Sequence, residues 1–92
     1  MDLSHYLLND FSEYETLKEK YGEALVNDFV DRMHTALASL KPGNMFNITT
    51  QPDGTVRPES HLEILVKICC MWIHGNREYE LSNDCNRIRR MP

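Results

Sequence analysis

Two potential metal ligands, Cys70 and His74, are four residues apart, a spacing that places both side chains on one face of a helix. A thiolate and an imidazole so placed can share one metal ion, and Asp84 and Cys85 would join them if the C-terminal segment folded back over that face. A closed zinc site needs four ligands, however, and the sequence offers no second clear pair. A histidine near the end of a helix is also favoured by the helix dipole without any metal. We therefore predict no metal site and no cofactor.

The three cysteines, Cys69, Cys70 and Cys85, are the candidate nucleophiles. Cys69 falls among apolar residues, where a thiol packs as a small inert side chain, whereas Cys70 and Cys85 are expected to be more exposed. Neither has the oriented base or the oxyanion donors that a thiol enzyme needs. The sequence therefore predicts no enzyme activity. The odd number of cysteines favours reduced thiols and a cytoplasmic setting.

Arginines concentrate near the C-terminus. Four of them are candidate contacts to a nucleic acid or another partner: Arg77, Arg87, Arg89 and Arg90. The planar guanidinium matches phosphate oxygens and guanine edges, so this cluster is the feature that most favours nucleic-acid binding.

The arginines belong to residues 77–91, which are predicted to form a β-hairpin with a two-residue turn at Asn83-Asp84. That turn predicts three facing pairs: Tyr79 with Ile88, Glu80 with Arg87, and Glu78 with Arg89. One apolar pair and two opposite-charge pairs thus follow from a single assumption. In this register Arg87 and Arg89 are partly neutralised, and only Arg90, opposite Arg77, stays unpaired.

Acidic side chains concentrate at the other end of the chain. Residues 1–40 carry eight acidic and three basic side chains, whereas residues 41–92 carry six and seven. An acidic front half repels phosphate backbones, which disfavours broad nucleic-acid binding. Five carboxylates form a candidate interaction face: Glu13, Glu15, Glu19, Asp28 and Asp31. A phage or mobile-element regulator or inhibitor could use such a face, and a solvated face that keeps a small protein soluble is the alternative interpretation.

Four helical segments must position these residues. Apolar residues at helical spacing predict a short helix near 2–9, a break near 10–12 and a second short helix to Lys20, ended by Gly22. The same spacing predicts a helix over 23–40, stopped by Pro42. A fourth helix, over 58–74, is apolar except for one narrow stripe, so it is predicted to be the centre of the core with Trp72 shielded.

Residues 45–50 alternate between two faces, which predicts a strand that joins the hairpin in a three-stranded antiparallel sheet. The expected fold is α+β, one domain over 1–92, with three or four helices in the order αααβαββ and a C-terminal β-hairpin. This order of a helix, a short strand, a helix and a two-stranded wing resembles a winged-helix domain. The resemblance is topological only, with one helix rather than two between the first strand and the wing.

Composition places the chain among soluble globular proteins, with 41% hydrophobic and 26% charged residues. It contains no 18-residue apolar run, so neither a membrane span nor a membrane partner is expected. By elimination, we expect a small non-enzymatic interaction module that binds another protein. The alternative is a winged-helix-like nucleic-acid-binding protein that uses the arginine-bearing hairpin. The sequence leaves homo-oligomerisation open.

Overall fold

The computed structural model describes all 92 residues and has an α+β fold, as the sequence predicts. Three helices, α1 (Ser12–Tyr21), α2 (Glu23–Ala38) and α3 (Glu59–Gly75), combine with three short strands, β1 (Met45–Asn47), β2 (Tyr79–Leu81) and β3 (Arg87–Arg90). The radius of gyration is 12.4 Å, close to the ~12 Å expected of a folded chain of this length. A single helix separates β1 from the hairpin, again as predicted.

The first predicted helix is reduced to one 3₁₀ turn, Ser4–Tyr6. Asp2 accepts a hydrogen bond from the Ser4 backbone N–H, and the buried Leu3 donates its own N–H to the carbonyl of Asp84 at 2.8 Å. The segment is therefore held by the distant hairpin loop rather than by a regular helix. The predicted break and the helix after it, α1, are confirmed.

Gly22 separates α1 from α2 with a φ of 93°. A positive φ is readily adopted only by glycine, so the chain can reverse within one residue and the two helices pack against each other. α2 then buries Val26, Met33 and Leu37 along one side, the stripe that its apolar spacing predicts.

The sheet has the order β1-β3-β2 and both pairings are antiparallel, so the last strand lies in the middle. The predicted three-stranded sheet is thus confirmed. Phe46 of β1 faces Ile88 of β3, and the fully buried Ile88 lies on the side that packs against the helices. The predicted alternation from Met45 is also confirmed, because Phe46 and Ile48 are more buried than Met45 and Asn47.

The predicted register of the hairpin is wrong by two residues. Tyr79 pairs with Arg90, Glu80 with Arg89, and Leu81 with Ile88. The connection is a longer loop, residues 83–86, in which Cys85 has a φ of 60° and a buried side chain. Asp84 holds this loop by accepting hydrogen bonds from the Ser82 hydroxyl at 2.8 Å and the Asn86 N–H at 3.1 Å. A shift of two residues keeps every side chain on its face, so the predicted burial of Tyr79 and Ile88 is nevertheless confirmed.

α3 is the centre of the core, as predicted, and every residue from Ile64 to Cys69 is buried. Its polar stripe is covered by the N-terminal segment. Glu63 accepts hydrogen bonds from the Tyr21 hydroxyl at 2.7 Å and from Lys20 at 3.1 Å. Lys67, only 8% exposed, donates to the carbonyl of Tyr6 at 2.7 Å. The stripe is therefore an internal polar seam that fixes residues 1–21 onto the helix.

Candidate functional site

The four candidate arginines do not form one surface. Alternation along β3 places Arg87 and Arg89 on the open face of the sheet and Arg90 on the side of the helices. Arg89 forms an ion pair with Glu80 at 3.3 Å, whereas Arg90 donates to the carbonyl of Leu40 at 2.7 Å. The predicted pairs of Arg87 with Glu80 and of Arg89 with Glu78 are therefore wrong, because the register is shifted, whereas Arg90 has no ion pair, as predicted.

Two of these arginines are exposed and have no ion pair, Arg77 before β2 and Arg87 at the start of β3. Arg90 also lies over the ring of Tyr79, 5.9 Å from its centroid. It therefore supports the packing of the hairpin, with Nη1 already occupied by the carbonyl of Leu40. The cationic surface consists of two separate side chains.

The candidate acidic face is partly occupied by contacts within the protein. Glu13 accepts a hydrogen bond from the backbone N–H of Asn9, and Glu15 lies 3.8 Å from Lys18. Asp28 pairs with Arg32 at 3.1 Å. The remaining two residues of the face, Glu19 and Asp31, are exposed and have no ion pair. These two and Glu15, whose ion pair is long and exposed, supply most of the available negative charge.

The thiols are held in a state that works against nucleophilic chemistry. Cys69 and Cys85 are buried and Cys70 is half-buried, so the prediction that Cys85 is exposed is wrong. The hairpin loop turns the Cys85 side chain into the core. Burial raises the pKa of Cys69 and of Cys70 and raises the pKa of Cys85 to about 11, whereas the reactive form is the thiolate. No group of three or more His, Cys, Asp or Glu side chains is placed to hold a metal ion.

An apolar surface lies at the C-terminal end of α3, where α1 begins and α2 passes. We call it the α3-end patch; its residues are Phe11, Tyr14, His34, Met71, Trp72 and His74. Phe11 is 53% exposed, and its ring meets that of His74 edge-on at 5.0 Å. Met71 is 38% exposed and shares a shallow depression with Tyr14 and His34. The three helices thus each contribute aromatic, methionine or histidine side chains to this end of the molecule.

Trp72 forms the inner border of this patch. Its indole packs edge-on against Tyr79 at 5.4 Å and in a tilted arrangement against His34 at 5.2 Å, yet the residue is only half-buried. The expectation of a largely shielded indole is therefore met only on its inner side. Its Nε1 is enclosed and has no hydrogen-bond partner, so the prediction that an enclosed N–H finds a partner is wrong.

The α3-end patch is not evident in the sequence, because its members come from three separate segments. Phe11 lies in the break before α1, where helical spacing cannot be used to predict which side chains are buried. Met71 belongs to an apolar run that is typical of a buried helix. One signal was present, since Phe11 is flanked by polar residues on both sides and has no apolar neighbour in sequence.

None of the helices has the length and apolar character that crossing a membrane would require. The chain matches no protein-family model, and no curated protein and no solved structure is significantly similar to it.

Proposed function

We propose that the protein is a non-enzymatic module that binds another protein through the α3-end patch. The observation that carries the proposal is the exposure of two large apolar side chains, Phe11 and Met71, within one surface of aromatic and histidine residues. Protein interfaces are enriched in aromatic residues and methionine, and a few such anchors supply most of the binding energy. Exposed apolar groups of this kind lower the free energy of a complex because binding removes them from water.

The charge beside the patch indicates what kind of partner would fit. Glu15 follows Tyr14 and Asp31 follows Val30, and both carboxylates are exposed, so the helices that contribute to the patch also carry negative charge. Complementary charge speeds association and excludes partners of the same sign. The partner should therefore offer an apolar contact flanked by lysine or arginine. A protein with such a surface would suit the role of a cytoplasmic regulator or inhibitor of the phage or mobile-element type.

The test is capture of partners from the native host with tagged wild-type protein and two variants. Phe11→Ser removes the most exposed aromatic side chain of the patch, and Val56→Ser is the matched control. Val56 is 55% exposed and precedes the opposite end of α3. We expect a protein that is retained by the wild type and by Val56→Ser and lost with Phe11→Ser. Equal retention by both variants would contradict the proposal.

The second candidate function is nucleic-acid binding through the hairpin, which the exposed and unpaired Arg87 favours. A mobility-shift assay at increasing salt separates the two functions. Arginines that neutralise phosphates release counterions on binding, so affinity for nucleic acid falls steeply as the salt concentration rises. If the hairpin is the site, Arg77→Gln with Arg87→Gln should abolish the shift, whereas Arg32→Gln on α2 should not. Absence of any shift for the wild type at low salt would eliminate this candidate.

A further inference from the structure

A cavity of about 300 Å³ opens on another side of the molecule, between α2, α3 and residues 46–57. Phe29, Phe46 and Leu65 form apolar walls, and Gln51, Arg57 and His61 add polar groups. We call it the Arg57 cleft. Its volume is at the lower end of the ~300–1,000 Å³ typical of small-molecule sites. No carboxylate lines it, so its charged groups are cationic.

Arg57 is half-buried and has no ion pair. One of its nitrogens, Nη1, donates to the carbonyls of Asn47 and Ile48 at 3.1 Å and of Thr50 at 3.3 Å. Its guanidinium also lies over the ring of Phe46, 5.3 Å from the centroid. These contacts fix the plane and the direction of the group. An arginine removed from water usually has an anionic partner, and here the protein provides none.

The contacts of Nη1 leave one edge of the guanidinium unused. Nε and Nη2 make no hydrogen bond within the protein, and neither is sealed from solvent. These two nitrogens carry parallel N–H groups that match the two oxygens of a carboxylate. A role in holding the 47–50 backbone accounts for Nη1 alone and does not account for this edge.

The other polar groups of the cleft leave room for a ligand. His61 packs edge-on against Phe29 at 4.8 Å, and its ring nitrogens make no hydrogen bond. Arg32 lies at the border of the cleft, where Asp28 neutralises it at 3.1 Å. The positive charge that a ligand would meet is therefore centred on Arg57. A ligand with a single negative charge would complement it.

We propose that the Arg57 cleft binds a small monocarboxylate with a compact apolar body. The carboxylate lies along the Nε–Nη2 edge of Arg57 and the apolar body lies between Phe29 and Phe46. A phosphate ester presents a similar pair of oxygens to this edge, but its second negative charge meets no further unpaired arginine in the cleft. The carboxylate can belong to a free acid or to the end of a peptide chain, and the two sources present the same group.

Isothermal titration of the wild type tests the chemistry without any mutation. The probes are 3-phenylpropanoate, its neutral amide, phenyl phosphate, and a dipeptide ending in phenylalanine with a free or an amidated C-terminus. We expect the free acid to bind at least about tenfold more tightly than its amide, as a lost hydrogen bond to a charged group implies. The tighter of 3-phenylpropanoate and the dipeptide identifies the source. Equal affinity of acid and amide, or no binding of either acid up to ~10 mM, overturns the proposal.

Two variants then locate the site. Arg57→Lys keeps the charge but removes the two-nitrogen edge, so affinity for 3-phenylpropanoate should fall at least about tenfold. Ala36→Leu leaves Arg57 untouched and fills the cleft from α2, so binding should be lost while the melting temperature is retained. Arg77→Lys, on the far hairpin, is the matched control and should bind as the wild type does. Unchanged binding by either cleft variant assigns the probe elsewhere and overturns the proposal.

Discussion

Two apolar runs of α3, one near its middle and one near its C-terminal end, contain similar residues in different surroundings. Ile64, Leu65 and Val66 are all buried, whereas Met71, Trp72 and Ile73 are exposed or half-buried. The first run is enclosed because α2, the sheet and the N-terminal segment together surround the helix. The second run extends toward the helix terminus, where fewer elements cover it. Three consecutive apolar residues point in three directions on a helix, so their burial depends on what surrounds the helix and not on their composition.

The largest difference in stability between the two runs is expected when one isoleucine in each is replaced by alanine. Ile64→Ala should lower the free energy of unfolding by roughly 2–5 kcal/mol, because the site is fully enclosed and a cavity remains. Ile73→Ala, the matched change at the half-buried end, should cost clearly less. Denaturant titration measures both. Equal losses of unfolding free energy would mean that the two runs of α3 are equally part of the core.

Trp72 lies at the boundary between the two environments, so an intermediate effect is expected. Trp72→Ala loses the packing against Tyr79 but already has an exposed side, so the cost should be about 2 kcal/mol, below the ~3–5 kcal/mol typical of a buried tryptophan. Trp72→Phe keeps an aromatic ring and removes the unpartnered N–H, which should offset part of the lost contact area. Thermal melts of the two variants check this order. A larger loss for Trp72→Phe than for Trp72→Ala would contradict the assignment of an unsatisfied donor.

The parts of the fold that sequence could predict are those with strong local periodicity. The sequence spacing predicts α2, α3 and the alternation at 45–48 to within a few residues. It also indicates that β1 pairs with the hairpin. The register was not predictable in this way. It depends on the burial of Cys85, which lengthens the loop and which only the assembled core decides. In the sequence alone, a two-residue turn places opposite charges across the hairpin as well as the longer loop does.

The candidate sites were predictable to a smaller extent, for the same reason. The arginines were identified as a group, but the shifted register moved the ion pair to Glu80 with Arg89 and left Arg87 unpaired. Arg57 was not recognised at all. Its position against Phe46 and three backbone carbonyls arises from the turn at 51–57, and no spacing in the sequence indicates that contact.

A smaller effect is expected at the polar seam that covers the first half of α3. Burial alone would raise the pKa of Glu63, but hydrogen bonds from Tyr21 and Lys20 outweigh it and lower the pKa below its ordinary value. A lowered pKa in the folded state means that the charge of Glu63 stabilises the fold above the unfolded pKa of about 4.3 and ceases to do so as the pH falls through the folded value. Glu63→Gln should therefore cost about 1–2 kcal/mol at pH 7 and progressively less below about pH 4. A cost that is independent of pH would show that the carboxylate charge contributes nothing at this seam.

The smallest effect on stability is expected at Met71, in the exposed run of α3. Met71→Ala removes an exposed side chain from the outer end of α3 and substitutes a stronger helix former, so the free energy of unfolding should change by less than about 0.5 kcal/mol. If the α3-end patch is the binding surface, the same variant should lose affinity for the captured partner by more than about 1 kcal/mol, roughly fivefold or more. Calorimetry and a binding titration on one preparation give both numbers. A fall in stability comparable to that of Ile64→Ala, with binding unchanged, would place Met71 in the core and mean that the two runs of α3 have the same surroundings.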